Sequence, residues 1–193
     1  MLYLAHVHLI PPNTIKMTLI ISLNDKDIFP EGSDTTSRED RSFTMHRKAA
    51  RVIVFDQEGK LALVYNQKSG YRLLPGGGVE EGETYHEAAI RECLEEIGCA
   101  VVIEKEIGYS KDHRARIHRY QEQHCFVARL VGEKGQPETT QIDEQGIKVE
   151  WLALDDAIAL LEKQTAEMLF ERYNSCFNVR LHLAFLKELK LLE

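Results

Sequence analysis

The sequence predicts an α/β (α+β) fold, a β-sheet with helices packed on it. Three observations lead there. Apolar runs of strand length recur between turn signals at 49–55, 60–65, 71–74, 100–109, 120–131 and 147–152. A segment in the middle of the chain, 84–97, instead repeats its apolar residues every three or four positions, as does a longer one at 165–190. The order is therefore strands, helix, strands, helices. At 193 residues the chain has the length of one domain and enough material to bury a real core.

Residues 1–16 match nothing downstream and are read as a peripheral N-terminal segment of unknown role; an added strand or arm is the other reading. From Met17 the run Thr-Leu-Ile-Ile-Ser-Leu is a strand, and 17–193 is expected to form one domain with C-terminal helices. The polar stretch 24–46, with a turn at Pro30-Glu31-Gly32, is a long connection, either over a site or along the surface. Ala49–Phe55 and Lys60–Tyr65 flank Asp56-Gln57-Glu58-Gly59 and read as a hairpin. Tyr71–Leu74 follows as a short strand. Lys111 to Arg119 is strongly basic, and is either a grip for phosphates or a solvated hairpin tip. Ile147–Leu152 is the last strand and carries Trp151. Asp155-Asp156 opens a helix, with acidic residues where the helix dipole favours them. The final helical pattern is expected to break near Asn174-Ser175. Its Met168, Leu169, Tyr173, Phe177, Leu181, Phe185 and Leu189 form the candidate core or interface face.

The stretch from Leu73 to Cys99 stands apart. Pro75 has no amide donor, and Gly76-Gly77-Gly78 permits backbone angles that other residues avoid. The helix behind it has Thr84 as N-cap, Glu87 completing a capping box, and Gly98 as its stop. Ala89, Ile90, Cys93, Leu94 and Ile97 are expected to face the core. Glu92, Glu95 and Glu96 lie one turn apart, so their carboxylates fall on one patch. Such like charges destabilise a free helix, and a hard divalent cation would turn the repulsion into binding. Arg91 is placed to pair with Glu87 or Glu95.

The pattern is Gly77, five residues, Glu83, seven residues, Arg91-Glu92, two residues, Glu95-Glu96, one residue, Gly98. It resembles the Nudix box of the Nudix hydrolases, and all seven fixed residues match. The box asks for aliphatic residues at 93 and 99, where this chain has cysteine, small and apolar enough to pack. The resemblance implies a mixed sheet sandwiched between helices, with the box as loop–helix–loop.

It further implies a pyrophosphohydrolase dependent on Mg²⁺ or Mn²⁺, which cleaves a nucleoside-diphosphate-linked compound. Metal binding falls to Glu92, Glu95 and Glu96, with a backbone carbonyl in the Gly76-Gly77 segment, that of Gly77 first, as a further ligand. Glu83 and Gly98 support the box. Arg91 joins Glu92 among the catalytic residues. The general base is either Glu92 or a glutamate from a later loop, with Glu144 the candidate and Glu122 behind it. Tyr71, Arg72, Arg114 and Arg116 are candidate substrate contacts, and Trp151 is a further stacking candidate; packing is the ordinary role of such aromatic residues. The proline that marks the ADP-ribose subgroup falls near Arg114 and is missing. The dinucleoside-polyphosphate tyrosine and the coenzyme A motif are missing as well. What remains resembles MutT-like hydrolases acting on nucleoside triphosphates. The alternatives are an ADP-ribose or nucleotide-sugar pyrophosphatase, and a nucleotide sensor without catalysis. A sensor would be expected to have lost box carboxylates.

Composition narrows the partners. Net charge is -7, which argues against non-specific binding to long nucleic acids or anionic membranes. A small nucleotide is the expected partner, and a homodimer is the protein assembly left open. Cys93, Cys99, Cys125 and Cys176 form no CxxC pair, and reduced thiols in the cytoplasm are the expectation. The apolar run 1–10 is too short to span a bilayer and lacks the marks of a signal peptide.

Overall fold

The computed structural model describes residues 17–29, 44–66, 70–137, 147–168 and 170–193. Residues 1–16, most of the 24–46 connection, Leu169 and the segment containing Glu144 lie outside the described residues. The elements are β1 (Leu19–Asn24), α1 (Asp25–Ile28), β2 (Met45–Phe55), β3 (Leu61–Asn66), β4 (Tyr71–Leu73), α2 (Tyr85–Ile97), β5 (Val101–Arg114), β6 (Arg119–Leu130), β7 (Ile147–Leu152), α3 (Leu154–Glu167) and α4 (Tyr173–Leu192).

Seven strands form one mixed sheet in the order β1-β5-β6-β2-β3-β4, with β7 paired to β3. β2 runs parallel to β6, and β1 parallel to β5; the other pairs are antiparallel. Side chains alternate across the sheet, so β2 sends Ile53 and Phe55 to one face and Ala50, Val52 and Val54 to the other. Leu61 and Leu63 of β3 join the first set, and Ala62 and Val64 the second. The first face packs under α3 and α4, on Leu161, Phe177, Leu181 and Phe185. The second packs under α2, on Ala88, Ala89, Cys93 and Ile97. This is the sheet between helices that the resemblance implied.

Four expectations change. The β2–β3 hairpin is paired only at Phe55↔Leu61. Below that point β2 turns to the glycine loop: Val52 N–H donates to Pro75 O, Ala50 N–H to Gly77 O, and Val79 N–H to Lys48 O, each at 3.0 Å. Second, the basic run forms a hairpin end, but it is not solvated throughout: Arg114 is buried. β5 continues through Arg114 and β6 begins at Arg119, with a single 3₁₀ turn at Ala115–Ile117 between them. The polar residues there extend because each strand pairs with a neighbour, not because of their own propensity. Third, the last helical pattern breaks between Glu167 and Tyr173, ahead of Asn174. Met168 leaves the helix with extended backbone and is buried in the core. Fourth, Ile90 and Leu94 are exposed, and α2 packs instead through Ala88, Ala89, Cys93, Ile97 and the buried Glu92. No helix among the described residues is long and apolar enough to cross a membrane.

Candidate active site

α2 is held at both ends by its sequence. The Thr84 hydroxyl accepts Glu87 N–H, and Glu87 accepts Thr84 N–H at 2.8 Å, the expected capping box. Gly98 adopts the left-handed conformation at φ 63° and returns its N–H to the last turn. With the helix fixed, the glycine loop lies between its acidic face and the edge of β2. Gly76 is required here: its φ is 130°, and a Cβ on it would stand 2.2 Å from Ala50 O. Gly77 is constrained differently: a Cβ there would lie 2.2 Å from Glu92 Oε1, against the end of a side chain rather than backbone.

Glu92, Glu95 and Glu96 line one pocket with Gly76, Gly77, Gly78, Glu80 and Arg91. Arg91 organises them. Its Nε and Nη2 donate to the two oxygens of Glu83 at 2.9 and 3.1 Å, and Nη2 also to Gly78 O at 2.8 Å. Nη1 donates to Glu92 at 3.0 Å and to Glu95 at 3.2 Å. Glu87, a suggested partner of Arg91, is occupied in the cap. The Arg91 guanidinium, together with the Glu80 N–H, holds the Glu83 carboxyl below its ordinary range against the opposing effect of burial. Glu92 shows the opposite balance. Burial raises its proton affinity above the ordinary carboxylate range, although Arg91 and Arg51 pull the other way. Glu96 Oε2 accepts Gly76 N–H at 2.8 Å and so ties the loop to the helix.

Two pocket residues were missed by the sequence reading. Arg47 and Arg51, four apart on β2, project into the same pocket. Arg51 is only 8% exposed, and its Nε donates to Gln123 Oε1 at 3.0 Å. A signal was present: Arg51 interrupts the apolar run of β2, and a charge in a buried strand costs free energy unless partners or a ligand compensate. Among the described residues, neither Arg47 nor Arg51 forms an ion pair with a carboxylate. Four glutamates and three arginines thus face the pocket.

Other candidates sit elsewhere. Arg114 is buried beneath α4, paired with Asp112 at 2.6 Å and bonded to Asn174 and Asn178. Arg116 stacks over Phe29 and Tyr173, 4.8 and 5.0 Å from the ring centres. Arg72 forms a two-pronged pair with Glu150 and covers the Tyr65 ring, while Tyr71 packs against the core under α3 and α4. Trp151 packs on the α2 side beneath the Lys134 ammonium. Glu122 is engaged by Tyr85 Oη and His124. None of these lines the carboxylate pocket.

The donors that the acidic side chains offer a cation are all oxygen, which suits Mg²⁺ or Mn²⁺ rather than a soft metal. Among the described residues no three acidic, histidine or cysteine groups stand within joint reach of one ion. Arg91 draws Glu92 and Glu95 to itself, and Gly76 holds Glu96. The glycine at 77 nevertheless lets the backbone stand where even a Cβ would collide with the Glu92 carboxylate.

A sheet packed between helices, with a glycine loop laid along β2 and an acidic helix behind it, is the architecture of a Nudix domain. The chain belongs to the NUDIX domain family, which matches residues 45–171. A Bacillus subtilis (strain 168) protein named "Putative 8-oxo-dGTP diphosphatase" is 32% identical over 97 residues, 50% of this chain. The chain spans 62% of the length of that curated relative. The crystal structure of a NUDIX-family hydrolase from Clostridium perfringens superposes with a TM-score of 0.50 at 17% identity, covering 76% of this chain and 97% of that one. A MutT protein from Methanosarcina mazei Go1 gives a TM-score of 0.48 at 18% identity, over 60% of this chain and 82% of its own.

Proposed function

We propose that the chain hydrolyses a phosphoanhydride bond of a nucleoside triphosphate, releasing the monophosphate and pyrophosphate. The observation that carries this reading is the pairing of opposite charges in one pocket: α2 carboxylates on one wall, Arg47 and the buried Arg51 on the other. Carboxylates alone suit a cation and arginines alone an anion. Both together suit a metal-complexed polyphosphate. The name of the Bacillus subtilis relative directs the substrate toward purine nucleoside triphosphates, the oxidised guanine nucleotide included.

Glu92, Glu95 and Glu96 would hold the Mg²⁺ or Mn²⁺. Gly77 O accepts Ala50 N–H and keeps a second lone pair, so the backbone ligand would be the carbonyl of Gly77 or of Gly76. The bound cation would neutralise phosphate oxygens and ease departure of the leaving group. Arg51 and Arg47 orient the phosphate chain by charge-assisted hydrogen bonds. Arg91 and Glu83 keep the α2 carboxylates and the Gly78 carbonyl in fixed register. Glu92 takes the proton from water as the water oxygen attacks phosphorus and the bridging P–O bond breaks. Glu144 lies outside the described residues, and Glu122 is engaged elsewhere. Four free, buried cysteines support a reducing compartment such as the cytoplasm.

The test is a panel of nucleoside triphosphates, oxidised nucleotides, nucleotide sugars and dinucleoside polyphosphates, assayed with Mg²⁺ and with Mn²⁺. The highest kcat/KM is expected for a purine nucleoside triphosphate. Efficient turnover confined to nucleotide sugars would overturn the substrate. Tight binding with no turnover would overturn the activity in favour of a sensor.

A further inference from the structure

α4 lies wholly beyond residues 45–171, the family-matched segment, yet it reaches the pocket through buried polar groups. His182, fully buried on α4, accepts Leu74 N–H at Nδ1, 3.0 Å away. Leu74 is the residue that leads β4 into Pro75-Gly76-Gly77. The edge of β4 turned away from β3 is closed by two helix side chains in succession. Gln164 of α3 exchanges both hydrogen bonds with the Arg72 backbone, at 2.8 and 3.0 Å, and His182 takes Leu74. Burial, and then the Arg51 and Arg114 cations, keep the imidazole neutral well below its ordinary range. It therefore stays an acceptor at Nδ1 with its proton on Nε2.

α4 also reaches the opposite wall. Asn174 and Asn178 accept from the Arg114 guanidinium at 3.0 and 2.7 Å. Arg114 holds Asp112, Gln123 donates to Asp112 at 3.4 Å, and Gln123 accepts from the pocket residue Arg51. The glycine loop is then anchored by three elements: β2 through Lys48, Ala50 and Val52, α2 through Arg91 and Glu96, and α4 through His182. The α4 anchor is the one at the loop's entrance. It supplies the acceptor for the Leu74 amide, which is buried where β4 passes into the loop.

We propose that His182 is a positioning residue of the pocket, and that α4 belongs to the functional unit because it fixes where the glycine loop starts. The activity arm of the test rests on the hydrolase reading above; the loop arm does not.

The experiment compares His182→Leu and His182→Asn in the full chain. Asn Oδ1 stands as many bonds from Cα as His Nδ1 and restores the acceptor, whereas leucine fills space without one. Leucine should speed amide exchange at Leu74 and Gly76, with α4 and β6 amides unchanged. It should lower kcat on the order of 10- to 100-fold at similar KM, and weaken Mn²⁺ binding, as loss of an outer hydrogen-bond partner does at metal sites. Asparagine should restore all three. Unchanged loop exchange in the leucine variant, exchange rising equally across the whole protein, or failure of asparagine to restore, each overturns the proposal. Should the leucine variant not fold, the unmodified protein decides. Its ¹⁵N spectrum at neutral pH should show a neutral His182 protonated at Nε2, coupled through the hydrogen bond to Leu74 N. A charged or uncoupled imidazole overturns it. If no diphosphate is cleaved at all, exchange and coupling still report on His182, and only the hydrolase reading falls.

Discussion

The carboxylate of Glu92 occupies the place that a side chain on residue 77 would need: a Cβ on Gly77 would stand 2.2, 2.5 and 2.6 Å from its Oε1, Cδ and Oε2. The contact is with the far end of a side chain, not with backbone. Gly77→Ala should therefore displace Glu92 and spare the fold. Activity is expected to fall on the order of 100-fold while Tm moves by less than about 3 °C. Gly76→Ala meets the Ala50 carbonyl and forces a positive φ, so it should cost about 1–3 kcal/mol of stability. Thermal melts of the two variants, side by side with turnover, check the contrast. Equal destabilisation by both would contradict it.

Glu96→Gln separates charge from shape. Glutamine retains an oxygen for Gly76 N–H, which Glu96 now accepts at 2.8 Å, and removes one negative ligand. Turnover at limiting Mg²⁺ should drop on the order of 100-fold or more, and metal-free Tm should hold or rise as like-charge repulsion is relieved. Normal turnover at low Mg²⁺ would remove Glu96 from the metal site.

Arg91→Lys tests the clasp. A single ammonium cannot reach Glu83, Glu92, Glu95 and Gly78 O together, as the guanidinium does. The loss should be about 1–3 kcal/mol without metal, and added Mg²⁺ should recover part of it by bridging the freed carboxylates. A Tm insensitive to Mg²⁺ would show that those carboxylates do not bind the ion.

The legible part of this chain was local. Thr84, Glu87 and Gly98 act through neighbours in sequence, so the limits of α2 follow from the residues themselves. The box carboxylates are legible for the same reason, through the fixed spacing of a helix. Ile90 and Leu94 misled because hydrophobicity alone cannot say which of two adjoining stripes meets the sheet, and Glu92 took a buried place through Arg91 and Gly77. The basic run was ambiguous because Arg114 depends on Asn174 and Asn178, sixty or more positions away. Arg51 and His182 were missed for a related reason: their roles arise where β2, β4 and α4 meet, and no spacing within one element records that meeting.

Away from the pocket, His124 offers a pH test. Its ring bridges Glu106 and Glu122 and stacks on Tyr85 of α2 at 3.8 Å. Burial alone would lower its proton affinity, but the two carboxylates outweigh burial and raise it above the ordinary value. The folded state thus binds this proton more tightly than the unfolded chain. Its contribution is complete below the ordinary histidine value of about 6.5 and is lost as pH rises through the higher folded value. The Tm advantage of the unmodified protein over His124→Gln should be largest near pH 6 and shrink toward pH 9. An advantage that stays constant or grows with pH would contradict the carboxylate bridge.

Whether the chain is a pyrophosphohydrolase is read from the products it forms from a purine nucleoside triphosphate, dGTP or its 8-oxo form, with Mg²⁺ in H₂¹⁸O, followed by ³¹P NMR. Nucleoside monophosphate and pyrophosphate are expected, with one ¹⁸O in a single product, because water attacks phosphorus and only one P–O bridge breaks. Nucleoside diphosphate with orthophosphate, or a triphosphate that stays intact although bound, would contradict it.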